Sequence, residues 1–169
     1  ADLQIKAIYS QSIYRLTLNF NDTNGLSKTK AEFNLENIAN DNFRNIVYDD
    51  SNVSIDVYAV GEESNAKAML RALGARLQRY GYILLGFDTN DGSSATIDLD
   101  AGNFEMQAED TTVYAVWQAK EYEVKFHSNP KDASAEEVKS ITVLYDSKFE
   151  FFGADDVLVA GYNLKGRGL

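Results

Sequence analysis

The chain has 169 residues, with 26 acidic against 16 basic side chains and a formal net charge of -10. It contains no cysteine and one histidine, which excludes disulfides, Cys-ligated zinc or iron–sulfur centres, thiolate nucleophiles and sites that need two imidazoles. The acidic balance argues against nucleic acid and anionic membranes as partners. No apolar run approaches the roughly 20 residues needed for direct membrane insertion.

Most of the predicted elements are strands, because apolar residues alternate with polar ones or run together over strand length. In chain order, strands are predicted at 3–9, 13–20, 45–49, 53–60, 82–87, 95–99, 111–118, 122–127 and 140–145. Polar loops are predicted at 21–30 and 129–137. Asn90-Asp91-Gly92 predicts a hairpin turn, after which Ile97 and Leu99 are expected to face inward.

One amphipathic helix is predicted at 64–80. Its apolar residues recur at about 100° per residue, and they are Met69, Leu70, Leu73, Leu77 and Tyr80. Ser64 is expected to cap the first turn, and Gly81 is expected to follow the last turn.

The sequence contains an internal repeat, in which residues 1–21 align without gaps with residues 109–129 at an offset of 108. The matched pairs are Asp2 with Asp110, Ile5 with Val113, Ala7 with Ala115, Ile8 with Val116, Tyr9 with Trp117, Tyr14 with Tyr122, Leu16 with Val124 and Asn21 with Asn129. A second match relates 81–87 to 161–167 at an offset of 80, so the first copy holds about 28 further residues, among them the helix. The same supersecondary unit is therefore expected to recur.

Three segments resemble the Listeria–Bacteroides repeat, a family that includes the B-repeat of internalins. Residues 122–129 (YEVKFHSN) resemble its opening strand, residues 81–87 (GYILLGF) its GY segment and residues 112–117 (TVYAVW) its closing strand. The resemblance implies that residues 1–10 are the closing strand of a preceding repeat, 11–118 an enlarged repeat and 119–169 a second, incomplete repeat. The implied fold class is α+β and β-rich: a β-grasp-like repeat unit with one inserted amphipathic helix, followed by a second, partial β unit.

The resemblance also implies a non-enzymatic module of a bacterial cell-surface or secreted protein, located outside the cell, that acts as an adhesion or partner-binding spacer. It supplies neither a catalytic residue nor a cofactor. The alternative is a carbohydrate-binding module of a larger secreted enzyme, in which aromatic rings stack on sugars. The aromatic candidates are Tyr9, Tyr48, Tyr58, Tyr114 and Trp117, for which core packing is the competing interpretation.

Four basic side chains of the predicted helix form the candidate partner-binding site: Lys67, Arg71, Arg76 and Arg79. They are a quarter of all basic residues, and they would bind a host or matrix protein or a glycan that is acidic. The alternative is a solvated helix face that pairs with nearby sheet carboxylates.

Other polar groups favour structural roles. The acidic segment 88–100 could offer oxygen ligands to Ca²⁺, but its spacing departs from the EF-hand loop and favours a hairpin turn without a metal. His127 is expected to be exposed at a strand end, and adjacent carboxylates such as Glu62-Glu63 are expected to be solvated. Residues 3–9 could complete the second unit, within one chain or by strand exchange between neighbouring copies.

Overall fold

The computed structural model describes residues 4–10, 12–22, 29–31, 44–58, 65–127 and 137–149. Strands predominate among these residues, together with one helix, which confirms the predicted β-rich α+β class. Contacts divide the chain into two compact units, residues 1–118 and residues 119–169.

The first unit contains seven strands and one helix among the described residues. They are β1 (Tyr14–Asn19), β2 (Thr29–Ala31), β3 (Arg44–Tyr48), β4 (Asn52–Val57), α1 (Ala66–Gly74), β5 (Leu77–Arg79), β6 (Tyr82–Asp88) and β7 (Thr111–Ala119). Five of the strands form one sheet in the order β3–β4–β1–β7–β6, and β2 pairs with β5 separately. In the main sheet β1 is antiparallel to β4 and parallel to β7.

One face of the main sheet is apolar, because side chains alternate across each strand. Leu16 and Leu18 on β1 are fully buried, and so are their register partners on β4, Ile55 and Val53. On the other side of β1, Val113 of β7 lies opposite Leu18 and is also fully buried. These residues form the sheet side of the core.

The helix α1 supplies the opposite side of this core. Its buried residues include Met69, Leu70 and Leu73, which recur every three or four positions and so lie on one face of the helix. Phe104 and Met106, from the segment between β6 and β7, are buried in the same core.

The predicted helix over 64–80 is wrong beyond Gly74. The chain turns at Ala75, and residues 77–79 pair as β5 with β2 instead. Strand alternation then buries Leu77 and Arg79 and leaves Gln78 exposed. A helix would have placed Leu77 and Arg79 on different faces, so the backbone ladder to β2 overrides the helical periodicity.

The ends of the predicted helix also differ. Tyr80 was expected on the apolar face but is 75% exposed, since it lies in the turn between β5 and β6. Gly81, with a φ of 76°, belongs to the same turn rather than to the end of the helix. The helix begins at Ala66 after Asn65, and Ser64 lies outside the described residues.

Two predicted strands are not formed as expected. Residues 4–10 have no regular structure, and no strand of the described residues pairs with them; a strand needs such a neighbour for its backbone groups. The predicted strand 95–99 is reduced to one bridge between Phe87 and Ile97. Ile97 is buried as predicted, whereas Leu99 is half exposed, because the chain leaves the ladder and turns from Asp98 to Ala101.

Two strands include residues that are predicted as loops. The strand β2 overlaps the end of the predicted polar loop 21–30. It has three residues, too few to show an alternating pattern, and it is defined by its pairing with β5. In the second unit, β8 (Glu121–His127) pairs antiparallel with β9 (Glu137–Leu144), so β9 begins within the predicted loop 129–137. The rings of Tyr122 and Tyr145 lie 6.2 Å apart at the open end of this hairpin.

Candidate functional site

The candidate site lies on two neighbouring parallel strands, β1 and β7, in the interior of the main sheet. Their register places Leu16 opposite Thr111 and Asn19 opposite Tyr114. Because they run parallel, the first residues of both strands lie at one end of the sheet and the last residues at the other. We call this strand pair the β1–β7 seam.

Side-chain hydrogen bonds join the β1–β7 seam at both ends. At its beginning, the backbone N–H of Arg15 donates to Asp110 Oδ1 at 2.7 Å. At its other end, Asn21 Nδ2 donates to the carbonyl oxygen of Ala115 at 2.9 Å, and Trp117 Nε1 donates to the carbonyl oxygen of Phe20 at 2.8 Å. The seam is therefore held by bonds additional to its ladder.

The residues that make these three bonds are repeat positions. Asp110, Trp117 and Asn21 align with Asp2, Tyr9 and Asn129 at the offset of 108. The sequence predicts core packing as one interpretation of Trp117 and assigns no role to Asp110 or Asn21. Their position explains the role, because each one reaches from the end of one strand to the backbone of the other.

Asn21 adopts a conformation that suits this reach. Its φ is 51°, a left-handed value that asparagine tolerates better than most residues. Its side-chain amide also lies 3.4 Å from the carbonyl oxygens of Asp91 and Gly92. At Gly92, whose φ is 74°, an added Cβ would come within 2.2 Å of the Asn21 amide nitrogen. The predicted Asn-Asp-Gly turn is thus packed against the end of the seam.

The polar face of the sheet carries a row of cross-strand pairs between β1 and β4. Arg15 forms an ion pair with its register partner Asp56 at 2.9 Å. Thr17 and Ser54 share a hydrogen bond at 2.9 Å, and the last pair of the row is Asn19 with Asn52 at 2.8 Å. Pairs directly opposite on one face are the unit of sheet stabilisation, so β1 is held firmly on this side as well.

Arg79, one of the four predicted partner-binding residues, is a buried structural residue. Its guanidinium forms an ion pair with Asp22 at 3.2 Å, and the two side chains are 6% and 14% exposed. It also lies 3.9 Å above the ring of Tyr82 and 6.0 Å from that of Trp117, within the range of cation–π attraction. Arg79 does not lie with the other three basic residues, and the helical pattern could not reveal this because Arg79 lies on a strand.

The three remaining basic side chains donate to backbone carbonyl oxygens. Lys67 Nζ donates to Gly102 at 3.0 Å, and Arg71 donates to Asp100 through Nε at 2.9 Å and through a terminal nitrogen at 2.7 Å. Arg76 donates to the carbonyl oxygen of Ala72 within its own turn. Lys67 and Arg71 therefore hold the 100–102 loop against the helix, while their proposed role in binding a partner stays a prediction.

A depression of about 350 Å³ lies beside the end of α1. Its lining consists of Arg71, Gly74, Ala75, Leu77, Leu84 and Leu99. Arg71 is the charged residue of this lining. Its guanidinium donates to the carbonyl oxygen of Asp100 and is therefore directed toward the 100–102 loop.

The acidic segment 88–100 is organised around the carboxylate of Asp88, which is buried. It accepts from the Thr96 hydroxyl at 2.8 Å and from the backbone N–H groups of Asp91 and Gly92 at 3.3 and 3.2 Å. The bond from Thr96, followed by those from the backbone, lowers the pKa of Asp88 below its usual value. Bonds from the hydroxyl and the backbone N–H of Ser93 likewise lower the pKa of Asp91. These contacts match the turn interpretation.

No metal-ligating cluster of three or more His, Asp or Glu side chains occurs among the described residues. His127 is exposed at the end of β8, as predicted.

Of the aromatic candidates, Tyr9 and Tyr48 are exposed, whereas Trp117 is partly buried with its indole N–H in the seam. Tyr58 and Tyr114 are also partly buried. In the part of the chain that the structure describes, no helix is long and apolar enough to cross a membrane.

Over 107 residues the chain is 32% identical to a protein of Evansella cellulosilytica named "Putative Gly-rich membrane protein". The match covers 61% of this chain and 12% of that protein, so the chain spans a small part of the relative's length. No family model matches the chain. No solved structure matches it either.

Proposed function

We propose that the chain is a non-enzymatic repeat module of a bacterial cell-surface or secreted protein, and that its first unit serves as a load-bearing spacer. In this proposal the first unit is an enlarged, β-grasp-like Listeria–Bacteroides repeat, and the second unit is the start of another. The support for the β-grasp assignment is the parallel pair β1 and β7 inside a mixed sheet, with the helix α1 inserted after β4 and packed on the core face.

The observation that carries the spacer function is the way the β1–β7 seam is joined at both ends. A spacer is pulled through the two chain ends of each unit, which here lead to the start of β1 and the end of β7. Since the strands are parallel neighbours, such a force slides them past each other and loads their hydrogen bonds together. The bonds of Asp110, Asn21 and Trp117 resist the same sliding motion.

The contacts around the seam add to this resistance. The cross-strand row from Arg15–Asp56 to Asn19–Asn52 fixes β1 to β4 on its other side. The buried pair of Arg79 and Asp22 lies beside the end of the seam. A β1 strand that is held on both sides transmits force into the whole sheet, as a spacer requires.

A location at the bacterial cell surface is part of the proposal. Its support is the name of the relative, a membrane protein, together with the small share of that protein that the matching segment covers. A short module within a much longer surface protein fits the role of a spacer. Binding to an acidic host or matrix protein would use Lys67, Arg71 and Arg76, because Arg79 is buried in its ion pair.

The spacer function is tested by stretching single molecules of the whole chain through its two ends. The Asn21→Gly variant should unfold at a clearly lower force than the wild type, since it removes a bond across the seam and keeps the left-handed backbone accessible. An unchanged unfolding force would overturn the spacer function. Glycan-microarray binding that is lost in Tyr9→Ala or Tyr48→Ala would instead favour the alternative of a carbohydrate-binding module.

A further inference from the structure

The segment before β1 exposes apolar side chains to an unusual degree. Ile5, Ile8 and Tyr9 are 88%, 95% and 91% exposed, and every residue of 4–10 is exposed. Exposed apolar residues that occur singly are ordinary, but a run of them indicates a contact surface.

The repeat alignment identifies what such a sequence does when it is covered. Ile5 and Ile8 align with Val113 and Val116 of β7 at the offset of 108. In the first unit those two valines are 0% and 4% exposed, and Val113 lies opposite Leu18 of β1. Residues 4–9 therefore have the sequence of a strand that is buried beside an opening strand of the β1 type.

The second unit contains the counterpart of that opening strand. The strand β8 aligns with β1, and it pairs antiparallel with β9 as β1 pairs with β4. The registers correspond, since Tyr14 lies opposite Val57 and its repeat partner Tyr122 lies opposite Val143. The hairpin of β8 and β9 thus reproduces one side of β1, and the other side of β1 is where β7 pairs.

We propose that residues 4–9 of one copy of the chain add as a parallel strand at the end of β8 of a second copy, with residues 4–6 opposite residues 125–127, and so recreate the β1–β7 seam between molecules. The offset of 108 fixes the register: Gln4 lies opposite Lys125 and Ile5 opposite Phe126. The interface combines main-chain hydrogen bonds with burial of alternate side chains, as in other strand additions. Reciprocal addition closes a dimer, and one-way addition extends a chain of copies. This assembly goes beyond the spacer function and does not depend on it.

The first test measures molecular mass in solution as a function of protein concentration. The intact chain should associate as its concentration rises. The Ile5→Asp variant should stay monomeric, because the register would bury its carboxylate beside Phe126. Ser10→Asp adds the same charge outside the paired segment and should associate like the wild type. A wild type that is monomeric throughout, or an Ile5→Asp variant that still associates, would overturn the proposal.

The second test reads the register directly and uses the absence of native cysteine. Copies carrying Gln4→Cys are mixed with copies carrying Lys125→Cys, and disulfide-linked heterodimers are measured by mass spectrometry under mild oxidation. The control replaces the second partner by Glu121→Cys, four residues along the same strand and about 13 Å away. All three positions are exposed, so the substitutions leave the fold intact. Cross-linking should favour position 125 strongly, and equal yields at 125 and 121 would contradict the register.

Discussion

The indole Nε1 of Trp117 donates to the carbonyl oxygen of Phe20 at 2.8 Å, across 97 positions of sequence. The bond joins the end of β7 to the residue that follows β1. It gives the tryptophan of the repeat pattern a role that is separate from core packing. Together with the bonds of Asn21 and Asp110, it joins the β1–β7 seam at both ends in addition to the backbone ladder.

Removing the indole N–H should weaken the first unit. We expect Trp117→Phe to lower the free energy of unfolding by about 1–3 kcal/mol, because it removes the hydrogen bond to the Phe20 carbonyl oxygen and reduces the packed area. Tyr114→Phe, on the same strand, changes one hydroxyl and should stay within about 0.5 kcal/mol of the wild type. Chemical denaturation of both variants measures the difference. Equal stabilities of the two variants would contradict a role for the indole bond.

Asn21 and Gly92 should be energetically coupled. Gly92→Ala should cost about 1–2 kcal/mol for its left-handed backbone alone, and more because its Cβ would meet the Asn21 amide nitrogen at 2.2 Å. In an Asn21→Gly background that collision is absent, so the same Gly92→Ala change should cost less. A double-mutant cycle should give a coupling of at least about 0.5 kcal/mol. Strict additivity would show that the turn and the seam are independent.

Replacing Arg79 should destabilise the fold, because its ion pair with Asp22 is largely buried. We expect Arg79→Ala to cost about 3–5 kcal/mol, since it removes the largely buried ion pair with Asp22 together with the contact of the guanidinium with the Tyr82 ring. Arg79→Lys keeps the charge but loses the planar contact with Tyr82, so its cost should be intermediate. Lys120→Ala, at an exposed position, should stay within about 0.5 kcal/mol of the wild type. Thermal unfolding that ranks the three variants otherwise would refute the structural role of Arg79.

Acid should destabilise the first unit through Asp88. Its pKa is lowered in the folded state, mainly by the Thr96 hydroxyl, so its stabilising contribution is complete above the unfolded-state pKa of about 3.9. That contribution is lost as the pH falls from there through the lower folded-state pKa. Asp88→Asn should therefore be less stable than the wild type at neutral pH and should lose less stability on acidification.

Thr96→Val provides the matched variant for this effect, because it removes the donor and keeps the carboxylate. It should also reduce the loss of stability between about pH 5 and about pH 2, a range that spans the unfolded-state pKa of aspartate. Denaturation at each pH measures this loss. If the wild type and both variants show the same acid dependence, the hydrogen bonds of Asp88 do not stabilise the fold.

The sequence predicted the strands of the main sheet well where both faces of a strand have a clear character. On β1 and β4, alternation separates Leu16 and Ile55 on the core face from Thr17 and Ser54 on the polar face. The segment that pairs as β5 carries residues of helical periodicity, and only its partner β2, nearly fifty residues earlier, decides its structure. Local patterns contain no information on such a distant partner.

The candidate site was predictable in its residue types but not in its contacts. The repeat alignment singled out Asn21, Trp117 and Asp110, yet hydrogen bonds to backbone carbonyls and N–H groups leave no mark on a sequence. The basic residues of 64–80 were recognised, but the change from helix to strand after Gly74 moved Arg79 from the predicted surface to the interior. The error in one element thus altered the composition of the predicted partner site.

The proposed spacer function requires that the β1–β7 seam bear load when the first unit is stretched. Single-molecule pulling can test it on the whole chain through thiol handles, because native cysteine is absent. Handles at Ser12→Cys and Lys120→Cys pull on opposite ends of the seam and slide its strands, whereas handles at Ser12→Cys and Glu109→Cys pull on the same end and separate its bonds one after another. The unfolding force should be several times higher in the first geometry. Equal forces in the two geometries would contradict the load-bearing role of the seam.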